Sequence, residues 1–320
     1  MNSKPKIVVM IPAYNEEKTI GLVIRGVKKA VPNAEVLVID DGSTDNTSRE
    51  AGKAKADRIE RHEENKGLGI AFKTGIESAL EMKADIIVNI DADLQFNPED
   101  IPKLVEPILK GKADVVTCSR FLDKRIEPKM PFVKRFGNSV FTWLISFLTK
   151  KKFTDTQCGF RAYSRESALR MNLFGKFTYT QEVLLDLAEK GFRIEEVACK
   201  VKGEREGKSR VVQNWHSYGI KASMIIIRAI RDYKPLRFFG GIGLTFMVVG
   251  FLSALALWVR LLLLHRINPY MWVAYADAVL LIIGFLLIML ALVADMLGRQ
   301  RKIQEEIIYR IKKQQFDKEA

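Results

Sequence analysis

The chain has 320 residues, of which 48% are apolar, so it can bury a sizeable core and is too apolar to be a disordered chain. Its formal charge of +13 implies an anionic partner, which composition alone leaves open between nucleic acid, phosphorylated substrates and a lipid surface. Three cysteines, Cys118, Cys158 and Cys199, are odd in number and widely spaced with no CxxC pair, which argues against a zinc site or a disulfide framework and for reduced core residues.

Along the chain, "KIVVMIPAY" (6–14) reads as a first strand and not as a secretory signal, because its apolar run is short and turns polar at once. Up to about Arg120, β-rich runs then alternate with helical patterns: "EKTIGLVIRGVKKA", "AEVLVIDDGS", "DNTSREAGKAKA", "GIAFKTGIESALEM" and "ADIIVNIDADLQ". The alternation predicts an α/β domain with a parallel, helix-covered sheet whose ligands bind beyond the carboxyl ends of the strands. The next section, 121–236, is more basic. Its segments "GNSVFTWLISFLTKKK" and "WHSYGIKASMIIIRAIRDYK" suit amphipathic helices, lying either in a membrane interface or against the core.

Phe238–Val259 carries no charge and Val273–Val293 only Asp277, so residues 237–297 are expected to hold two transmembrane helices, about 238–259 and 273–295. Lys and Arg in "KASMIIIRAIRDYKPLR" and "GRQRK" outnumber those in the connection "RLLLLHRINPYM", which places both termini on the cytoplasmic side of a multi-pass cell-membrane protein. Asp277 and Arg260 either pair or snorkel to the interface. Residues 298–320 read as a charged cytoplasmic tail helix, a candidate contact in a homo-oligomer. Because the positive charge gathers beside the spans, nucleic acid is not the expected partner.

The chemistry concentrates at strand ends. "VNIDADLQF" (88–96) closes an apolar strand with Asp91, Asp93 and Gln95, which a period of two would converge on one face. Such oxygens suit a divalent cation that must also hold phosphates, although solvated strand-end carboxylates are the commoner use of the pattern. "VLVIDDGSTDNT" ends a second strand in Asp40 and Asp41, with Asp45 placed to start a helix, and "IPAYNEEKTI" leaves Tyr14 and Glu16 free to meet a base or a ribose. "NKGLGIAFKTGI" turns into a helix where backbone N–H groups and Lys66 can approach phosphate. His62, His216 and His265 match no metal spacing, and Trp143, Trp215, Trp258 and Trp272 read as interface or core aromatics.

Taken in order, these four motifs resemble glycosyltransferase family 2, with its nucleotide-sugar-binding GT-A fold. The later pieces, "CSRF", "KRFGNS", "DTQCGFRAY", "TQEVLLDLAEKGFRIEEV" and "REGKSR", followed by two spans, resemble the polyprenyl-phosphate glycosyltransferases, including dolichol-phosphate mannosyltransferase and undecaprenyl-phosphate glucosyltransferases. The resemblance implies a Rossmann-like GT-A domain with interfacial amphipathic helices and a C-terminal two-helix transmembrane hairpin. Residues 1–120 would form its nucleotide-sugar-binding part and 121–236 its acceptor-binding part. It implies inverting transfer of a sugar from a nucleotide-diphosphate sugar, of the GDP-mannose or UDP-glucose class, to a polyprenyl phosphate, with Mg²⁺ or Mn²⁺ as cofactor.

By the same resemblance Pro12, Tyr14, Glu16, Asp41, Lys66, Asp91, Arg205 and Ser209 bind the nucleotide sugar, and Asp91, Asp93 and Gln95 the metal. Arg120, Arg135 and Ser139 hold the acceptor phosphate, while Asp93, Asp155 and Arg205 are the catalytic candidates. A phosphomonoester is already largely ionised near neutral pH, with a second pKa of about 6, so Asp155 acts either as a base, by positioning Arg161 or by polarising the site. Two rivals are a processive polysaccharide synthase, whose QxxRW motif and additional spans are missing here, and a catalytically silent nucleotide-sugar-binding membrane scaffold.

Overall fold

The computed structural model describes residues 4–125, 127–128, 132–172, 179–201, 235–265 and 268–317. They divide into two units, one of 1–211 with 307–320 and one of 212–306. In the first, strands β1 (Ile7–Ala13), β2 (Glu35–Asp40), β3 (Arg58–Arg61), β4 (Ile86–Asn89), β5 (Val115–Ser119), β6 (Arg161–Ser164) and β7 (Ile194–Ala198) form a seven-stranded sheet ordered β3-β2-β1-β4-β6-β5-β7. The sheet is mixed, not wholly parallel. β6 runs antiparallel to both β4 and β5, whereas the remaining neighbours are parallel.

Near-continuous apolar runs build the central strands because both faces are covered. Alternate residues serve opposite cores: Val9, Ile11, Val36 and Val38 face one cluster, and Val8, Met10, Leu37 and Ile39 the other. On the first face lie α1 (Ile20–Ala30), α2 (Thr47–Lys53) and α4 (Ile101–Leu109); α1 buries Ile20, Val23, Ile24 and Val27, the stripe of an amphipathic helix. On the second lie α3 (Leu68–Glu81), α6 (Arg165–Arg170) and α7 (Tyr179–Glu189). α5 (Phe132–Thr149) buries Phe141, Leu144, Ile145 and Leu148.

The last two helices are α8 (Pro235–Leu264) and α9 (Met271–Asp317), both long and apolar enough to cross a membrane. The second apolar run and the charged tail are therefore one continuous helix. Within the second unit the helices meet through small residues: a Cβ on Gly243 would lie 2.8 Å from the carbonyl oxygen of Gly284. α8 is fully buried only at Gly243 and Gly250, and much of its remaining apolar surface is exposed. Asp277 is buried at this contact while Arg260 stacks over the Tyr270 ring at 4.5 Å, so the two do not pair.

Residues 307–317 of α9 belong to the first unit, where Tyr309 and Phe316 join the second core cluster. Arg170 lies 3.8 Å over the Tyr309 ring, the Tyr309 hydroxyl donates to Glu166 (3.1 Å), and Lys312 Nζ donates to Met171 O (2.8 Å).

Candidate active site

β1 pairs in parallel with β2 on one side and β4 on the other, so the chain winds outward in both directions from this point. In an open α/β sheet the crevice beyond the carboxyl ends of two such strands is the position where ligands bind. Pro12 closes β1 inside the sheet, and Tyr14 and Glu16 follow half-buried. The turn after β1 is zipped to the turn after β2: Asn15 N–H donates to Ser43 Oγ (3.0 Å), Thr44 N–H to Asn15 Oδ1 (2.9 Å) and Glu16 N–H to Thr47 Oγ1 (2.8 Å). Asp45 lies one position before Asn46, the cap residue of α2, and accepts from Thr47 N–H (3.0 Å).

Asp41 is the hub of the next loop. It is buried, and its carboxylate accepts from the backbone N–H groups of Lys66 (3.0 Å) and Gly67 (2.9 Å), while His62 Nδ1 lies 2.7 Å away. His62 is itself buried and its Nε2 lies 3.0 Å from Thr74 Oγ1 on α3. The loop passes so close over Gly42 (φ 71°) that a Cβ there would sit 2.3 Å from the carbonyl carbon of Glu64. Asp41 thus fixes the entry to α3 and leaves the Lys66 side chain exposed beside it.

The metal motif departs from the period-two expectation. β4 stops at Asn89, and residues 91–94 form a turn in which Leu94 has φ 60° and Gln95 N–H donates to Asp93 Oδ1 (3.1 Å). Asp91 lies against Gly159, where a Cβ would come 3.4 Å from Oδ1 and 2.8 Å from the Tyr179 hydroxyl. Beneath it the fully buried Asn89 donates to Gly159 O (2.7 Å) and Tyr179 (3.3 Å). Burial, with the charge of Asp91 second, pushes the Tyr179 phenol well above its ordinary pKa, so it stays a neutral hydroxyl. Among the described residues no group of three His, Cys, Asp or Glu side chains could hold a metal. The donor set at 91–95 is two carboxylates and an amide, which fits a hard cation that takes its other oxygens from a diphosphate and water.

Arg120, at the end of β5, forks onto the fully buried Asp155 through Nε (2.6 Å) and Nη2 (2.9 Å). Burial works against the guanidinium charge, but the pairing with Asp155 outweighs it and the Arg120 pKa is raised. Asp155 pairs with Arg120 and not with Arg161. Arg161 is fully buried on β6 and donates to Thr117 Oγ1 (3.2 Å), Thr156 O (3.0 Å) and Thr180 O (2.5 Å). Cys118, Cys158 and Cys199 gather below this fork on one face of the sheet; hydrogen bonds with the other two thiols and burial push the Cys118 pKa far up.

α5 docks beside the fork, with Thr142 Oγ1 3.2 Å from Thr156 Oγ1. Arg135 and Ser139, one turn apart, share its exposed face with Phe136, Trp143 (66% exposed) and Phe147, and Trp143 stacks on Phe147. Arg135 pairs with Glu127 at 2.8 Å. Arg205, Ser209 and the segment 215–234 lie outside the described residues.

The sequence motifs did not single out His62, Asn89, Tyr179 or Glu196 for the site. Asn89 alone had a signal, a lone amide within the apolar run "IIVNI".

The glycosyl transferase family 2 model matches residues 8–170, just over half of the chain. The chain belongs to that family. This glycosyltransferase is 34% identical over 181 residues to a UDP-N-acetylglucosamine–dolichyl-phosphate N-acetylglucosaminyltransferase of Methanococcus voltae, covering 52% of this chain and 71% of the relative. It is 32% identical over 205 residues to a dolichyl-phosphate hexose transferase of Haloferax volcanii, covering 64% and 86%. A solved structure of glucosyl-3-phosphoglycerate synthase from Mycobacterium tuberculosis, in complex with Mn²⁺, UDP and glucosyl-3-phosphoglycerate, superposes with a TM-score of 0.54 at 26% identity, over 71% of this chain and 79% of that one. The match supports the GT-A assignment of the α/β domain.

Proposed function

We propose that the enzyme transfers a sugar, with inversion, from a nucleotide-diphosphate sugar to a polyprenyl phosphate. The observation that supports this reading is that Asp91, Asp93 and Gln95 follow β4, the parallel neighbour of β1 at the point where the sheet winds both ways, while the Arg120–Asp155 fork follows β5, two strands further on. Relatives named for transfer to dolichyl phosphate support the acceptor.

In this reading Tyr14 and Glu16 meet the nucleoside, and the loop held by Asp41 presents Lys66 and the start of α3 to the diphosphate. Asp93 and Gln95 hold a divalent cation, Mg²⁺ or Mn²⁺, with Asp91 shaping the donor end; the cation supplies charge neutralisation for the leaving diphosphate. A phosphate oxygen of the acceptor attacks the anomeric carbon. The bond from that carbon to the diphosphate breaks, and the nucleoside diphosphate leaves with the electron pair. Arg120, Arg135 and Ser139 hold the acceptor phosphate, and Arg205 with Ser209, outside the described residues, binds the donor diphosphate. Asp155 orients Arg120, because its two oxygens are already given to the guanidinium.

Residues 1–120 serve the donor and 121–236 the acceptor, with the aromatic face of α5 at the membrane interface. The apolar helices span the membrane as a hairpin with both termini cytoplasmic.

The test offers purified full-length protein a panel of nucleotide sugars with polyprenyl phosphate and reads the lipid product by mass spectrometry. One sugar is expected to appear on the lipid phosphate, and Asp93→Asn should abolish its metal-dependent transfer. Turnover at the wild-type rate in that variant overturns the cation assignment, and donor hydrolysis without lipid product overturns the acceptor.

A further inference from the structure

We propose that Glu196, on β7, is a positioning residue of the acceptor site that holds the Arg120–Asp155 fork in the orientation that receives the lipid phosphate. The inference rests on the acceptor role of Arg120 given above. One carboxylate grips two consecutive residues: it accepts from Thr154 N–H (3.0 and 2.9 Å to its two oxygens), Thr154 Oγ1 (3.1 Å) and Asp155 N–H (3.0 Å). Thr154 Oγ1 lies 2.5 Å from Ser119 Oγ, which accepts the N–H of Phe121 (3.2 Å). Glu196 is therefore tied both to the loop that carries Asp155 and to the strand end that carries Arg120. With Asp155 fully buried and its oxygens committed to the guanidinium, a shift of its backbone moves the whole fork.

The charged groups around Glu196 are Asp155 and Arg120 at the fork and Arg161 on the same sheet face across Thr117. Burial pushes the Glu196 carboxyl up, and the Asp155 charge adds to it, against the hydrogen bonds from Asp155 and Thr154. The consequences for activity and stability have opposite signs. Protonation replaces an accepting oxygen by a hydroxyl donor facing the N–H groups that Glu196 grips, so acceptor binding weakens as pH falls through the raised pKa. A carboxyl whose pKa is raised by folding instead contributes stability below its unfolded pKa and loses it as pH rises through the folded one. A merely structural residue would make activity follow stability.

The experiment uses full-length protein in detergent with a nucleotide sugar and a polyprenyl phosphate of fixed chain length. Glu196→Gln is expected to raise the acceptor KM about tenfold, to leave the donor KM within about twofold, and to lose the part of the acid limb that belongs to Glu196. The lipid phosphate titrates near pH 6 in both proteins and so cancels in the comparison. Thr154→Val, which keeps the carboxylate but removes the bridge to Ser119, is expected to raise the acceptor KM about threefold and supplies the answer where Glu196→Gln does not fold. An unchanged acceptor KM, or equal rises in both KM values, overturns the role of Glu196. Arg120→Ala separates the two levels. If it too leaves the acceptor KM unchanged, the acceptor reading fails; if it raises that KM while Glu196→Gln and Thr154→Val do not, only Glu196 is reassigned.

Discussion

Asp155→Asn and Arg120→Ala, made singly and together, separate a positioning role for Asp155 from a proton-accepting one. Asp155 is fully buried and receives two guanidinium bonds at 2.6 and 2.9 Å, while the Arg120 side chain keeps 17% exposure. Hydrogen bonds to charged groups contribute about 1.5–3 kcal/mol each, and the water reaching Arg120 screens part of this. The coupling is therefore about 2–3 kcal/mol, or roughly 30- to 150-fold in kcat/KM for the acceptor. The asparagine keeps an oxygen for Gln157 N–H, which donates to Asp155 at 3.1 Å, so the loop is disturbed less than the charge. Steady-state kinetics at saturating donor should show each single variant losing most of the coupling energy and the double variant losing within about threefold of the worse single. Thermal unfolding of each variant corrects for unfolded protein. Losses that multiply in the double variant would refute the positioning role and return Asp155 to the reacting atoms.

Three more outcomes follow from packing. Gly42→Ala forces a Cβ against the backbone of Glu64 at a left-handed position and should cost at least about 2 kcal/mol, read as a lowered melting temperature with weakened donor binding. Tyr309→Ala removes a ring that packs under Arg170 and should destabilise the first unit by about 2–4 kcal/mol in denaturant titration; an unchanged midpoint would deny the docking of 307–317. Gly243→Leu should open the α8–α9 contact and make the hairpin sensitive to protease in detergent, since a Cβ there already meets the Gly284 carbonyl oxygen.

The strands with unbroken apolar runs, β1, β2 and β4, were legible because burial on both faces writes one uniform signal. β6 was not. Its residues sit in "GFRAYS", where Arg161 looks like a site residue, yet in the fold that guanidinium is buried and satisfied by carbonyls and a hydroxyl. The antiparallel insertion of β6 between β4 and β5 is a long-range choice that no local period reveals. The strand-end carboxylates were visible for the same reason the strands were, as polar residues that break an apolar run. Their partners were not visible. Asp155 finds Arg120, 35 residues away, and Glu196 finds the backbone of Thr154 and Asp155; spacing along a chain does not encode such meetings. The cysteines tell the same story, since positions 40 residues apart share one sheet face through strand register.

The docking of residues 307–317 bears on how the protein is made. Tyr309 and Phe316 complete a core whose other members lie between Val8 and Leu187, and the apolar segments 235–264 and 271–293 are synthesised in between. A chain emerging from the ribosome folds its N-terminal part first. Here the nascent catalytic unit must wait, with the seat of Tyr309 on α6 uncovered, until both hydrophobic helices have left the ribosome. Completion of the first unit and synthesis of the two apolar helices are thus coupled in time, and a chain stalled between residues 190 and 306 would present a sticky, unfinished face to chaperones.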